Sequence, residues 1–239
     1  MTDRTNVTDK VCIVAGAGPG TGAALCRRFA AGGYRVAMLA RDEARLAALE
    51  REISGSRGYA CDVTDGERVR AVVERIHADL GAPSVLVHNA VAGHFGEFLD
   101  VQAATLENTF RTNVLSLLHL GQAVAPSMLA AGHGAIVVTG NTSAWRGSAT
   151  FAAFAPSKAA QRILAQSMAR SLGPRGIHVA YVVIDAVIDV PWTRQMFGDK
   201  ADDFFAKPSA IADTVYYVAQ QDRSAWTFEA DLRPFGEKW

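Results

Sequence analysis

The heptapeptide Gly16-Ala17-Gly18-Pro19-Gly20-Thr21-Gly22 follows the apolar run Val11–Ala15 and runs straight into a helix-forming stretch. Glycines at this density allow a tight turn, and they let backbone N–H groups come close to a pyrophosphate. The partial positive charge of the following helix N-terminus then favours the anion. A glycine run between a strand and a helix, at the start of an α/β pattern, is the context that a dinucleotide site needs. The second apolar run, Arg35–Ala40, ends at Ala40 and is followed by Arg41 and Asp42. A site selective for NAD(H) places a carboxylate at that strand end to accept the ribose hydroxyls, whereas an arginine suits a 2′-phosphate. Arg41 therefore favours NADP(H) over NAD(H), with Asp42 as the competing reading. Other ionisable groups near strand ends are His88, His94, Tyr181, Asp185 and Asp189. An aspartate in such a place is usually a turn former or a helix cap; buried, it becomes a candidate acid. No His, Cys or carboxylate set has metal-ligand spacing, so no metal is expected.

These residues need a scaffold, and the pattern supplies one. Short β-branched runs at 11–15, 35–40, 58–61, 84–89, 135–140, 178–184 and 226–232 alternate with helical stretches at 21–32, 42–53, 66–80, 102–131 and 156–172. Strands separated by helices of this length give a parallel sheet covered on both faces. Right-handed crossovers then make it a doubly wound Rossmann-type sheet of seven strands, mostly parallel. No repeat or linker interrupts residues 1–239, so one α/β domain is expected. Residues 185–208 lack clear periodicity and carry Pro191, Trp192, Met196 and Phe204-Phe205. A long irregular segment in a compact domain reads as a substrate lid.

The bulk numbers narrow the partners. The chain has 239 residues, 24 Lys plus Arg against 24 Asp plus Glu, and 49% hydrophobic residues. Zero formal net charge argues against a nucleic acid or an anionic membrane as the main partner. The polar start Met-Thr-Asp-Arg-Thr-Asn has no apolar signal region, and no apolar stretch approaches the roughly 20 residues of a membrane span. A cytoplasmic protein is expected, with Cys12, Cys26 and Cys61 as small buried thiols.

Several ordered motifs together resemble the classical short-chain dehydrogenase/reductase family over essentially the whole chain. The glycine segment is similar to TGxxxGxG, with Ala15 for threonine and Gly16, Gly20 and Gly22 in place. Cys61-Asp62-Val63 looks like the adenine-contacting Asp-Val. His88-Asn89-Ala90-Val91 looks like NNAG with its first and last positions changed. Thr112-Asn113-Val114 carries the family's helix asparagine, which supports a proton-relay water. Phe154-Ala155-Pro156-Ser157-Lys158 stands where YxxxK belongs, and the usual serine falls at Asn141, beside Thr142 and Ser143. The family's Pro-Gly after the sixth strand becomes Ile184-Asp185.

The resemblance implies cofactor contacts from Gly16, Gly18, Gly20, Gly22, Arg41, Asp62, Val63, Asn89, Ala90, Lys158 and Ile188. It implies catalytic roles for Lys158, Asn113, Asn141 and Ser143, and a homodimer or homotetramer built on the helices at 102–131 and 156–172. A phenyl ring holds no ionisable proton, so Phe154 cannot act as the family's acid. Of the lysine's two family roles, lowering the tyrosine pKa and binding the nicotinamide ribose, only the second remains. The expected function is an NADP(H)-dependent oxidoreductase acting on a small or medium organic carbonyl or enone. An NADP(H)-binding sensor or partner subunit without turnover is the alternative, and a lyase or isomerase on the same scaffold is a third reading.

Overall fold

The computed structural model describes residues 10–237. The polar N-terminal hexapeptide lies outside the described residues. The sheet has seven strands: β1 (Val11–Ala15), β2 (Arg35–Ala40), β3 (Ser56–Ala60), β4 (Pro83–His88), β5 (Gly134–Asn141), β6 (Ile177–Ile184) and β9 (Glu229–Leu232). Their spatial order is β3-β2-β1-β4-β5-β6-β9, and every neighbouring pair is parallel. The expected seven-stranded doubly wound sheet is therefore present.

Alternation along the strands sorts the core onto two faces. Cys12 and Val14 of β1 point into one apolar cluster, and Val11, Ile13 and Ala15 into the other. The first face is covered by α1 (Thr21–Ala31), α2 (Glu43–Glu52) and α8 (Pro208–Ala219), through Leu25, Phe29, Leu46, Leu49, Ile211 and Val215. The second is covered by α3 (Gly66–Leu80) and α5 (Ser116–Ala131), through Val69, Val72, Ile76, Leu120, Val124 and Met128. α6 (Phe154–Leu172) packs beside α5, with Met168 and Leu172 on that same cluster. The three cysteines are buried free thiols. Burial raises all three, Cys26 to about 12 and Cys61 to about 11, so they stay protonated and inert.

Four features depart from the sequence reading. α8 was not expected, although Pro208 at its start and Ile211, Ala212, Val215 and Val218 on its buried side carry a helical period. α6 begins at Phe154 rather than Pro156, because proline costs nothing in a first turn whose N–H groups have no partner anyway. The stretch 102–131 is α4 (Ala103–Phe110), a π-helical turn at Arg111–Leu115 and then α5, with Pro126 inside it. Taken together, this helical stretch is long and apolar enough to cross a membrane by length and composition, which corrects the expectation that no such segment exists. Here it packs on the sheet, with Leu117, Leu120, Val124 and Met128 buried.

Residues 185–208 hold regular structure of their own: β7 (Val187–Ile188), α7 (Pro191–Met196) and β8 (Phe205–Ala206), with β7 and β8 paired in parallel. Arg194 ties the segment together through Asp189, at 2.6 and 2.9 Å, and Asp202, at 2.7 Å.

Candidate active site

β1 and β4 are adjacent in the sheet but not consecutive in the chain, so the crossovers diverge there and leave a crevice at the strands' C-terminal ends. The glycine loop lies in this crevice, and its glycines do different work. Gly16 has φ +90°, and a Cβ there would meet the Ala90 backbone N at 2.7 Å. A Cβ on Gly22 would meet the Gly16 carbonyl oxygen at 2.2 Å. These two glycines let the loop pack against itself and against the end of β4. Gly20 is covered by Val190, whereas a Cβ on Gly18 would meet nothing within 4 Å. Gly18 thus faces open space.

The N-terminus of α1 has no side-chain cap, and the Thr21 hydroxyl is buried without a partner. An uncapped helix start beside an orphaned buried hydroxyl suits an anion. Asn89 does not reach outward. Its Nδ2 donates to the Gly16 carbonyl at 2.9 Å, and its Oδ1 accepts from the Thr139 hydroxyl at 3.1 Å. It ties the glycine loop to β5, while the next residue, Ala90, packs partly buried on the second-face core.

At the ends of β2 and β3, Asp42 caps α2 by accepting from the Arg45 backbone N–H, and it pairs with the Arg45 guanidinium. Its carboxylate is committed. Arg41 is exposed. Asp62 accepts from the backbone N–H and the hydroxyl of Thr64, and these bonds, with help from the Arg41 and Arg68 charges, hold it below the usual carboxylate range. Val63 is buried in the second-face core. Ile188 is half-buried in β7, packed on the first-face core.

The other side of the crevice is a closed hydrogen-bond network. Lys158 is 2% exposed, and its ammonium donates to the Thr139 carbonyl at 3.1 Å and to Gln161 Oε1 at 2.5 Å. Burial pushes it down to about 7. Gln161 Nε2 donates to the Asn113 carbonyl at 2.7 Å and faces His88 Nδ1 at 3.4 Å. His88 Nε2 lies 2.6 Å from the Ser116 hydroxyl, which itself donates to the Thr112 carbonyl. That order makes His88 neutral with its proton on Nε2. Burial, reinforced by the Lys158 charge, lowers it to about 3. The Tyr181 hydroxyl closes the network at 3.4 Å from Gln161 Oε1. Gly140 makes room for that ring, since a Cβ there would meet Tyr181 at 2.1 Å.

Asn113 and Asn141 are both hydrogen-bonded within the fold. Asn113 Nδ2 donates to the Ala92 carbonyl and the Ser157 hydroxyl, and its Oδ1 accepts from the Ala92 N–H. Both of its amide hydrogens are used. Asn141 donates to the Ile184 carbonyl and accepts from the Ser143 N–H. Ser143 is buried on a cavity of about 310 Å³ walled by Trp145, Arg146, Phe151, Ala152, Ala155, Pro156 and Ala159. Lys158 is not among those walls.

Neither strand-end aspartate is a free acid. Asp185 accepts from the Thr142 hydroxyl and pairs with Arg233 at 3.7 Å. Asp189 is held low by Arg194. Phe154 stacks edge-on with Phe151, centroids 5.7 Å apart, and Phe151 contacts Phe95 at 5.3 Å. Among the described residues no group of three or more His, Cys or carboxylate residues could hold a metal.

The short chain dehydrogenase family model matches residues 10–199. The chain belongs to that family. It is 28% identical over 233 residues to the 3-oxoacyl-acyl-carrier-protein reductase of Escherichia coli, covering 94% of this chain and 95% of the relative. A metagenomic short-chain oxidoreductase solved with NADP superposes with a TM-score of 0.83 at 29% identity, covering 95% and 98% of the two chains. A xylitol dehydrogenase solved with NAD+ superposes with a TM-score of 0.86 at 25% identity, covering 96% and 99%. The protein is thus a short-chain dehydrogenase of oxidoreductase type with a nicotinamide-cofactor fold.

The sequence reading missed Gln161, the centre of the buried network. Its signal was a polar residue one turn after Lys158 on the face that α6 buries.

Proposed function

We propose that this short-chain dehydrogenase uses NADP(H) in preference to NAD(H) and reduces a small or medium organic substrate without a tyrosine acid. The observation that carries the cofactor preference is the contrast at the end of β2, where the Asp42 carboxylate is spent on its own helix and Arg41 is exposed. A guanidinium at that place supplies a charge-assisted partner for a 2′-phosphate. Gly18 and the N-terminus of α1 would face the pyrophosphate, Asp62 and Val63 the adenine, and Ala90, Ile188 and Lys158 the nicotinamide half. Gly16, Gly20, Gly22 and Asn89 would shape the loop that receives it. The cofactor supplies the hydride; the chain binds it, orients it and excludes water.

Phe154 stands in the position of the family's tyrosine. Ketone reduction needs a proton at the developing alkoxide, and a positioned acid contributes about 10²–10⁴-fold. Reduction of a conjugated C=C bond instead places charge on an enolate oxygen, which a hydrogen-bond donor stabilises without giving up its proton. Asn141 keeps one uncommitted N–H, because only one donation from its Nδ2 is made. Asn141 is therefore the proposed donor, and Asn113 and Ser143 support it through the backbone they hold. The Phe95–Phe151–Phe154 row makes an apolar wall, which fits an enone or an apolar carbonyl compound. Residues 185–208, with Trp192 and Met196 exposed, are proposed as the lid over this site.

The direct test is a fluorescence titration with NADPH and NADH. NADPH is expected to bind in the micromolar range, and Arg41→Ala to weaken NADPH by about tenfold, or 1.4 kcal/mol, with NADH nearly unchanged. Equal losses for both nucleotides would make Arg41 structural; no binding of either would end the proposal. A second copy is the proposed partner, seated on the apolar groove of about 260 Å³ formed by Leu118, Gly121, Ala125, Met168 and Leu172 of α5 and α6. A monomeric mass by light scattering at micromolar concentration would reject it.

A further inference from the structure

The family resemblance assigns a relay water to the helix asparagine, whereas here the Asn113 carbonyl accepts from a side chain of the chain itself. The π-helical turn at Arg111–Leu115 takes the Asn113 carbonyl out of the regular α ladder. The carbonyl accepts from Gln161 Nε2 at 2.7 Å. The other end of the same carboxamide, Oε1, accepts from the Lys158 ammonium at 2.5 Å. Gln161 and Lys158 are 0% and 2% exposed.

We propose that Gln161 is a positioning residue that replaces the relay water, bridging Lys158 to the Asn113 carbonyl and holding the lysine's amino group against the end of β5, cut off from solvent. This deepens the NADP(H) reading above and rests on it for the ammonium's role toward the nicotinamide ribose. The bridge itself stands on distances within the chain.

Three neighbours make the amide's orientation unambiguous. The ammonium can only donate, so Oε1 must face it. The Asn113 carbonyl can only accept, so Nε2 must face that. His88, whose Nε2 proton is directed at Ser116, offers Nδ1 as a further acceptor on the Nε2 side. Reversing the amide would set two donors against each other at Lys158 and two acceptors at Asn113.

The charged and titratable groups around Lys158 also matter. They are His88 from β4 and Tyr181 from β6, and beyond Tyr181 the Arg162–Glu229 ion pair between α6 and β9. None is an anion in contact with the ammonium. An amide passes a proton far less readily than water does, because it would have to pass through its imidic form. The bridge therefore supplies polarity without a path. It holds Lys158 in place while denying it the relay that would resupply a proton donor at Phe154's position. The loss of the tyrosine and the loss of the relay are then one change, made at two places on α6.

The test uses the full chain with 15N- and 13C-labelled lysine. The sequence has five lysines, and Lys158→Met assigns the buried one. At pH 6, the wild-type Lys158 ammonium is expected to exchange with water about tenfold or more slowly than the exposed Lys10, Lys200 and Lys207. Gln161→Met, close in length and unable to bridge, should bring that rate toward the exposed lysines. Gln161→Glu should move the Lys158 titration midpoint upward by about one pH unit or more, by placing a carboxylate where Oε1 was.

Fast exchange in the wild type would overturn the proposal without any variant having to fold. So would a Gln161→Glu protein whose Lys158 midpoint does not move. NADPH binding is measured separately on the same samples. A wild type that shows the slow ammonium but binds no NADPH would refute the cofactor reading and leave the bridge standing.

Discussion

The two sides of the crevice are built from different material. On the β1–β2 side the site is backbone: glycines, an uncapped helix start and an exposed arginine at a strand end. On the β5–α6 side it is side chain: Lys158, Gln161, His88, Ser116 and Tyr181, all buried and bonded to one another. A backbone site depends on a few positions that must lack a side chain, and it tolerates most other substitutions. A side-chain network depends on every member at once, because a half-satisfied buried group is costly. The first side can thus accept change at most positions while the second cannot, and on the proposed reading Phe154 and Gln161 are where the second side differs from the family pattern.

The largest expected effect falls within the backbone side itself and separates loop-forming glycines from ligand-facing ones. Gly22→Ala puts a Cβ 2.2 Å from the Gly16 carbonyl oxygen, a contact that only backbone movement can relieve. A cost of about 3 kcal/mol or more is expected, which lowers the thermal midpoint by roughly 6–12 °C in a chain of this size. Gly18→Ala meets nothing within 4 Å, so its midpoint should stay within about 1 °C of wild type while NADPH affinity drops by about tenfold. Thermal scans and nucleotide titrations on both variants check this. Equal destabilisation by the two would mean that the loop is one undifferentiated turn.

The same contrast explains what could be read from the sequence. The cradle was legible because its requirements are local: a glycine spacing, a strand before it and a helix after it. The sheet was legible because parallel strands buried on both faces give continuous apolar runs. Gln161 was not legible. It becomes a partner of Asn113, 48 residues away, only when a π-helical turn redirects a carbonyl, and no local pattern announces that turn. Asn113, Asn141 and Asn89 were legible as positions but not as roles, since which amide hydrogens remain free depends on Ala92, Ile184 and Gly16 arriving from elsewhere in the chain. The helix α8 carries a helical period of its own but follows a segment of weak pattern, which hides where it starts.

The side-chain half makes a pH-dependent prediction. An unfolded lysine titrates near 10.4, whereas burial holds Lys158 at about 7. Between those values the unfolded chain binds more protons at this residue than the folded chain does, so this group makes stability rise with pH. Lys158→Met removes the titration. The thermal midpoint of Lys158→Met minus that of wild type should therefore be more positive at pH 6 than at pH 9, whatever the constant cost of leaving Gln161 Oε1 without its donor. A difference independent of pH would show that Lys158 titrates as an ordinary lysine. The glycine loop 16–22 offers no such signature, because none of its side chains titrates.

The smallest expected effect asks whether the side-chain half can be turned toward the family pattern. Phe154→Tyr adds one hydroxyl at the first residue of α6, and an unsatisfied buried hydroxyl costs about 1–3 kcal/mol. A partner is at hand if Lys158 can supply it: the ammonium has three donors, and only Thr139 and Gln161 take one each. The variant should fold with nearly unchanged stability and gain weak NADPH-dependent reduction of ketones, measured as NADPH oxidation over a panel of ketones, diketones and enones. The gain should be modest for two reasons. Asn141 supplies no hydroxyl to the substrate oxygen, and the amide bridge denies the new tyrosine a water relay for reprotonation. Adding Asn141→Ser should raise the rate further, and more than the sum of the single changes, since groups that act as a unit are not additive. Adding Gln161→Met to Phe154→Tyr separates the two causes: a further rise would come from the reopened relay, and no change would leave the hydroxyl donor as the whole deficit. If Phe154 instead serves as an apolar wall with Phe151 and Phe95, Phe154→Tyr should slow enone reduction and give no ketone activity. A wild type already fast on simple ketones would overturn the comparison at its base, because it would mean that the β5–α6 side holds an efficient acid after all.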